Sequence, residues 1–257
     1  MREHFQVRRP IPRFKRADAI VEQIRRWIAT KDLRPGDRLP QERQLIELFH
    51  SSRGTVREAL KVLESQGLVE VLPGAKGGAR IASVSYDHTS QFLRNYLYFQ
   101  SLTWSQIYRV RERLEPMLAV TVVNHLTEED FSALRQTIES CRLGIAGEID
   151  PREHRAAELG FHAILCRACP DPLLQLLCNF ISDLLRDFVE YRNVIEPRDS
   201  EFGRAALRYH NELLAAYEEG DRAQVERLMT EHIHHAGTLI GEKEFPVDAG
   251  VLLQGGG

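Results

Sequence analysis

Residues 52–72 read SRGTVREALKVLESQGLVEVL, and the fold of the N-terminal third turns on them. Val56, Ala59, Leu60 and Leu63 recur on one helical face, which predicts a helix over 52–66. Ser52 is an N-cap residue by type, and Thr55-Val56-Arg57-Glu58 fits a capping box, so the helix starts at one or the other. Gly67 ends it as the residue after the last turn, and Leu68 can fold back on that turn. Leu68–Leu72 then alternates like a strand, Pro73–Gly78 is a turn, and Ala79–Ile81 returns as a second strand. Upstream, Ala17–Thr30 carries Ile20, Ile24, Trp27 and Ile28 at helical spacing, and Pro35-Gly36 marks a turn. Gln41–Phe49 is a short second helix, with Leu45, Leu48 and Phe49 expected to face inward. Two helices, a tight break, a capped third helix and a Gly-rich hairpin specify a winged helix-turn-helix.

The third helix carries a second pattern. Arg53, Arg57 and Lys61 stand at i, i+4 and i+8, opposite the apolar face, and form one basic stripe. Arg53 and Arg57 lie near the helix N-terminus, the end that meets base edges when such a helix enters the major groove. An arginine there can fork onto guanine O6 and N7, and the free backbone N–H groups favour a phosphate. Any one of these arginines alone reads as a solvated surface charge; the set at these positions points to DNA.

The charge distribution agrees. Residues 1–80 hold 17 Lys+Arg against 10 Asp+Glu, and residues 81–257 hold 17 against 27, so the net charge of −3 separates into +7 and −10. A basic head on an acidic body suits contact with a polyanion. At 257 residues the chain is long enough for two domains and a sizeable core. It has no apolar run of about 18 residues, and its basic start is not followed by the apolar stretch of a secretion signal. The four cysteines, Cys141, Cys166, Cys169 and Cys178, all lie in the second half, and a reducing cytoplasm is the plain reading.

Three segments, LRPGDRLPQERQLIELF (33–49), SSRGTVREALKVLESQGLVEV (51–71) and PGAKGGARI (73–81), resemble the DNA-binding domain of the GntR regulators over about residues 10–82. The resemblance implies that Arg43, Arg53 and Arg57 contact DNA, that Thr55 touches the backbone or a base, and that Gly77 at the wing tip approaches the minor groove. Ser52, Lys61 and Lys76 complete the candidate DNA-facing set. Gln41 stands where that family often has a serine cap.

After Ser85 the chain has almost no strand signal. Amphipathic stretches predict helices over about 88–100, 104–123, 127–144, 151–169, 171–194, 199–218 and 221–241, an all-helical bundle. Thr103, Thr127, Asp150-Pro151 and Asp171-Pro172 mark starts, and Pro116 inside the second of these helices is expected to bend it. Three of the ten histidines stand beside inward-facing residues on three different helices: His162, His210 and His232. Glu158 precedes His162 by four residues, on the same helical face. Three imidazoles and a carboxylate suit zinc, nickel or another borderline divalent ion. Core histidines with local hydrogen bonds are the competing reading, and His154, His234 and His235 compete for places in any such site. Cys166-x-x-Cys169 lacks the second pair or the strand-to-helix context that a zinc or redox role needs.

ELGFHAILCRA (158–168) and YHNELLAAYEEGDRAQVERLMTEHI (209–233) resemble the FCD ligand-binding domain of the FadR subgroup. By that resemblance the ligands of a divalent ion (zinc first, nickel or manganese as the others) are Glu158, His162, His210 and His232. Glu158 replaces the family's aspartate and is one methylene longer. VRERLEP (110–116) resembles the same domain, which implies that Arg111 faces the pocket and pairs with an effector carboxylate. The extra helix at 88–100 favours the FadR-type branch.

The expectation is therefore a mostly α chain. It has a winged helix-turn-helix at 10–82, an all-α domain of about seven helices at 88–241 and a tail at 242–257. Its resemblance implies a cytoplasmic, homodimeric transcriptional regulator, most often a repressor in that family. Such a regulator binds a palindromic DNA operator under the control of a small organic acid, and it is not an enzyme. The alternatives are a metal-dependent enzyme fused to a DNA-binding head, and a metal-free regulator with an acyl-type effector.

Overall fold

The computed structural model describes residues 13–74, 77–100, 102–192 and 201–241. Among them are ten helices and one two-stranded antiparallel sheet. The chain divides into two compact units, Met1–Thr89 and Ser90–Gly257. No helix among the described residues is long and apolar enough to cross a membrane.

The first unit holds α1 (Arg13–Thr30), α2 (Glu42–Leu48), α3 (Arg53–Ser65), β1 (Val69–Leu72) and β2 (Gly78–Ile81). Ile20 and Ile24 of α1, Leu45 of α2, and Val56, Ala59 and Leu63 of α3 are buried in one core with Val69, Ala79 and Ile81 of the hairpin. The capping ambiguity resolves at Ser52, whose Oγ accepts from Thr55 N at 3.3 Å, so α3 begins at Arg53. Gly67 follows α3 with φ +71, and Leu68 N donates back to Leu63 O at 3.0 Å, closing the helix end. β1 and β2 pair in the register Val69↔Ile81 to Leu72↔Gly78. Gln41 replaces the serine cap without leaving the turn unsupported, because its backbone N donates to Gln44 Oε1 at 2.9 Å. One inward assignment needs correction: Leu48 is 52% exposed. Leu45 and Phe49, four apart, take the inward face of this seven-residue helix, and Leu48 rotates away from it.

The remaining helices are α4 (Tyr86–Tyr98), α5 (Trp104–Thr121), α6 (Glu128–Ala146), α7 (Pro151–Ala168), α8 (Pro172–Arg192), α9 (Glu201–Glu219) and α10 (Arg222–Gly241). Reciprocal caps fix two starts: Thr103 with Gln106, and Thr127 with Asp130. Asp150 caps α7, with Pro151 in its first turn. α5 runs unbroken through Pro116. Leu118, Leu134, Phe161, Leu165, Leu213, Leu228, Met229 and Ile233 come from five helices and form the fully buried centre of the bundle. α7, which supplies two of the expected ligands, packs on α6 through a close approach. A Cβ on Gly144 would lie within 2.5 Å of His154 Cβ. His154 is itself buried and cannot swing away.

That approach gives a first prediction. Gly144→Ala overpacks the α6–α7 contact, costs about 1–3 kcal/mol, and lowers the melting temperature by roughly 2–12 °C. Thermal unfolding followed by circular dichroism checks it; an unchanged midpoint would mean that the two helices do not meet as described.

Candidate functional site

On the head, the polar face of α3 carries Arg53, Arg57 and Lys61, all exposed. Glu42 of α2 reaches across to both arginines, its Oε1 lying 3.2 Å from Arg53 Nε and its Oε2 accepting from Arg57 Nε at 2.8 Å. Arg43 projects from α2 and pairs with Glu47 at 3.2 Å. These ion pairs are solvent-exposed and weak, so a phosphate or a base edge can replace the carboxylate. Ser52 acts as the cap, and Thr55 is buried with its hydroxyl 2.9 Å from Ser52 Oγ. Thr55 thus shapes the helix start and is not turned to solvent. Gly77 precedes β2, where a Cβ would press within 2.7 Å of Pro73 O, so this turn admits no side chain. Lys76 lies outside the described residues.

In the bundle, α7, α9 and α10 bring His162, His210 and His232 together. One ring nitrogen from each lies within 4.8 Å of the others, and all three residues are buried. His162 Nε2 and His232 Nε2 are 3.2 Å apart. His210 stacks on Phe161, with ring centroids 4.1 Å apart and planes 6° from parallel. Neither nitrogen of His210 has a hydrogen-bond partner among the described residues, although the side chain is fully buried. Burial pushes His210 and His232 well below the usual histidine range, and the neighbouring histidines and Arg111 push them further.

Glu115 of α5 supports the cluster from behind. Its Oε2 lies 2.5 Å from His162 Nδ1, and its Oε1 accepts from Arg111 Nε and Nη2, each at 2.7 Å. Burial pushes the Glu115 carboxyl up, but Arg111 and His162 outweigh it and hold the group well below the ordinary carboxylate range. A carboxylate on Nδ1 fixes the tautomer that leaves Nε2 free as a donor to an ion. A buried imidazole with no hydrogen-bond partner among the described residues, beside two facing Nε2 atoms of which one sits on a ring that Glu115 orients, fits a divalent cation better than an apolar core. Arg111 is buried and lines the same cavity, with Glu115 as its partner. Glu158 lines that cavity too, but it does not join the nitrogen cluster. Its Oε2 is held by Arg155 at 2.5 Å, and its Oε1 lies 3.5 Å from His154 Nε2.

Sequence reasoning missed Glu115 and Arg155. Their i,i+4 and i,i+3 spacings to Arg111 and Glu158 were available, but nothing local links Glu115 to a histidine 47 positions away. His234 pairs with Glu112 on the surface and His235 lies 3.9 Å from Glu201, so neither competes for the cluster. The four cysteines are buried free thiols, and burial pushes Cys141 up to about 12.

The depressed histidines set a pH dependence. In the metal-free protein the unfolded chain protonates His210 and His232 near their ordinary pKa while the folded chain does not, so stability falls as pH drops through about 6.5. A melting temperature that declines between pH 7.5 and 5.5 is expected from scanning calorimetry with a chelator present; a flat or rising profile contradicts the burial of these two rings.

Comparison with known proteins follows the same division. Residues 16–78 match the bacterial regulatory proteins of the gntR family, and residues 106–235 match the FCD domain. The chain is 30% identical to RmpR of Mycobacterium gastri over 89% of its own length and 81% of that protein. It is 29% identical to the HTH-type transcriptional regulator LutR of Bacillus subtilis (strain 168), over 83% and 95%. A solved structure, Streptococcus agalactiae GntR, superposes with a TM-score of 0.58 at 22% identity, covering 87% of this chain and 99% of that one, and supports the fold. The family and these relatives are transcriptional regulators and not enzymes, which sets aside the fused-enzyme alternative. The chain belongs to the GntR family, in its FadR-like subgroup, as a transcriptional regulator with an N-terminal DNA-binding domain and a C-terminal FCD effector-binding domain.

Proposed function

We propose that this regulator binds one divalent cation through His162, His210 and His232, and that a small organic acid bound beside that cation controls the hold of the head on its operator. Zinc is the first candidate, with nickel or manganese as the others. The observation that carries the reading is the fully buried His210, with no hydrogen-bond partner on either nitrogen, beside two facing Nε2 atoms 3.2 Å apart. Glu115 orients His162, and Glu158 on the cavity wall is the carboxylate that can complete the ligand set. When bound, the cation supplies positive charge and open coordination positions for a carboxylate oxygen.

The head, about residues 10–82, reads DNA through Arg43, Arg53, Arg57 and Lys61, with Ser52, Thr55 and Gly77 shaping the surface that carries them. Two copies bind the halves of a palindrome as a cytoplasmic homodimer. The resemblance to the FadR subgroup favours repression, relieved when the effector binds the helical domain, about residues 88–241. Relief requires that the effector bind the DNA-free state more tightly than the DNA-bound one.

Two outcomes test this. Tag-free protein purified without chelator contains about one zinc, nickel or manganese per chain, read by elemental mass spectrometry, and His210→Ala loses it. Protein that binds operator and carries no metal would leave a metal-free regulator with an apolar or acyl-type effector. Arg53→Ala combined with Arg57→Ala weakens operator binding in a gel-shift assay by roughly 30-fold or more, at about 1–3 kcal/mol for each base-contacting arginine. Unchanged affinity would remove α3 as the recognition helix.

A further inference from the structure

Arg111 reaches the histidine cluster through Glu115. It stands one turn earlier on α5. Its Nε donates to Glu115 Oε1 at 2.7 Å, and its Nη2 lies 2.7 Å from the same oxygen. Both side chains are 4% exposed. The guanidinium carbon lies 5.1 Å from the centre of the buried Tyr108 ring, on the preceding turn. The other carboxylate oxygen, Oε2, is 2.5 Å from His162 Nδ1. Arg111, Glu115 and His162 thus form one buried chain that ends on a ring of the cluster.

The chain fixes hydrogens as well as positions. A carboxylate that takes two N–H groups from a guanidinium is ionised, so both of its oxygens are acceptors only. His162 Nδ1 must then carry the hydrogen that Oε2 accepts, and in the neutral ring Nε2 keeps its lone pair. That Nε2 lies 3.2 Å from His232 Nε2, inside the cluster.

Arg111 sets this arrangement. A guanidinium has donors only, so the side chain beside it must turn an acceptor toward it. A carboxylate meets that demand and still offers an acceptor to His162, because its two oxygens are alike. An amide in the same place does not. With its oxygen toward Arg111, its nitrogen faces Nδ1 and donates to it, and the hydrogen of the neutral ring moves to Nε2, where it blocks a cation.

We propose that Arg111 is a positioning residue of the cation site: acting through Glu115, it holds His162 in the tautomer whose Nε2 can take the cation. The inference rests on the reading of the histidine cluster as a cation site, and it requires no effector.

The test uses the full-length protein at pH 7.5. The His162 tautomer is read in metal-free protein from two-bond proton–nitrogen NMR spectra, its signals assigned by their loss in His162→Ala. Zinc affinity is then measured in competition with a chromophoric chelator. Wild type is expected to carry the hydrogen on Nδ1 and to take up about one zinc per chain. Glu115→Gln changes the shape little, yet it is expected to move the hydrogen to Nε2 and to bind zinc roughly 10- to 100-fold more weakly. Adding Arg111→Met to Glu115→Gln frees the amide to turn its oxygen toward His162. This double variant is expected to return the hydrogen to Nδ1 and to bind zinc at least about fivefold tighter than Glu115→Gln alone. A packing role for Arg111 predicts the reverse, because the second substitution then weakens the site further. If circular dichroism shows that Glu115→Gln does not fold, Arg111→Met with Glu115→Leu removes both buried charges together, and it is expected to fold and to lose zinc affinity by roughly 10- to 100-fold. Unchanged zinc affinity in Glu115→Gln or in the apolar pair, or no recovery on adding Arg111→Met, overturns the proposal. A wild type that takes up no zinc overturns the cation reading itself, and this inference with it.

Discussion

One buried carboxylate holds the polar interior of the helical domain together. Glu115 uses one oxygen to take two N–H groups from Arg111 and the other to meet His162 Nδ1. Without it, a guanidinium and an imidazole would both lie desolvated in a bundle whose core is largely apolar. With it, α5 is tied to α7, and the Nε2 of His162 is aimed at the space it shares with His210 and His232. The stacking of His210 on Phe161 fixes a second ring without using its nitrogens. Three buried nitrogen donors thus converge, and a cation would satisfy all of them at once.

The ion pairs of the chain form a graded series. At one end, Arg111–Glu115 is buried on both sides and hydrogen-bonded throughout, so breaking it would be costly. At the other, Glu42 shares its two oxygens between Arg53 and Arg57 on the exposed face of α3. Those pairs contribute little stability, of the order of 0–1 kcal/mol each, but they hold two long side chains side by side where a DNA surface would meet them. Arg155–Glu158 stands between the extremes, partly exposed at the edge of the cavity. The degree of burial separates the pair that builds the fold from the pairs at its surface.

Much of this was legible in the sequence because it follows from local periodicity. The apolar spacing of Val56, Ala59, Leu60 and Leu63 placed α3, and the caps at Thr103, Thr127 and Asp150 placed the starts of α5, α6 and α7. The three histidines could be singled out because each sits on the inward face of its own helix, so their convergence needed only that the helices pack. What was hidden depends on packing across helices. Glu115 meets a histidine 47 residues away, and Glu158 turns to Arg155 and His154 because those groups lie on its own face of α7. Thr55, expected to face DNA, is drawn inward by its bond to Ser52, and Leu48 is turned out because a seven-residue helix has room for only one inward stripe.

The most direct test of the histidine centre is X-ray absorption at the zinc edge on the zinc-loaded protein in solution. The account predicts a first shell of light atoms with nitrogen donors at about 2.0–2.1 Å, the multiple-scattering signature of about three imidazoles, and no sulfur. A shell containing sulfur at about 2.3 Å, as thiolates of the four cysteines would give, or one without imidazole scattering, would contradict it.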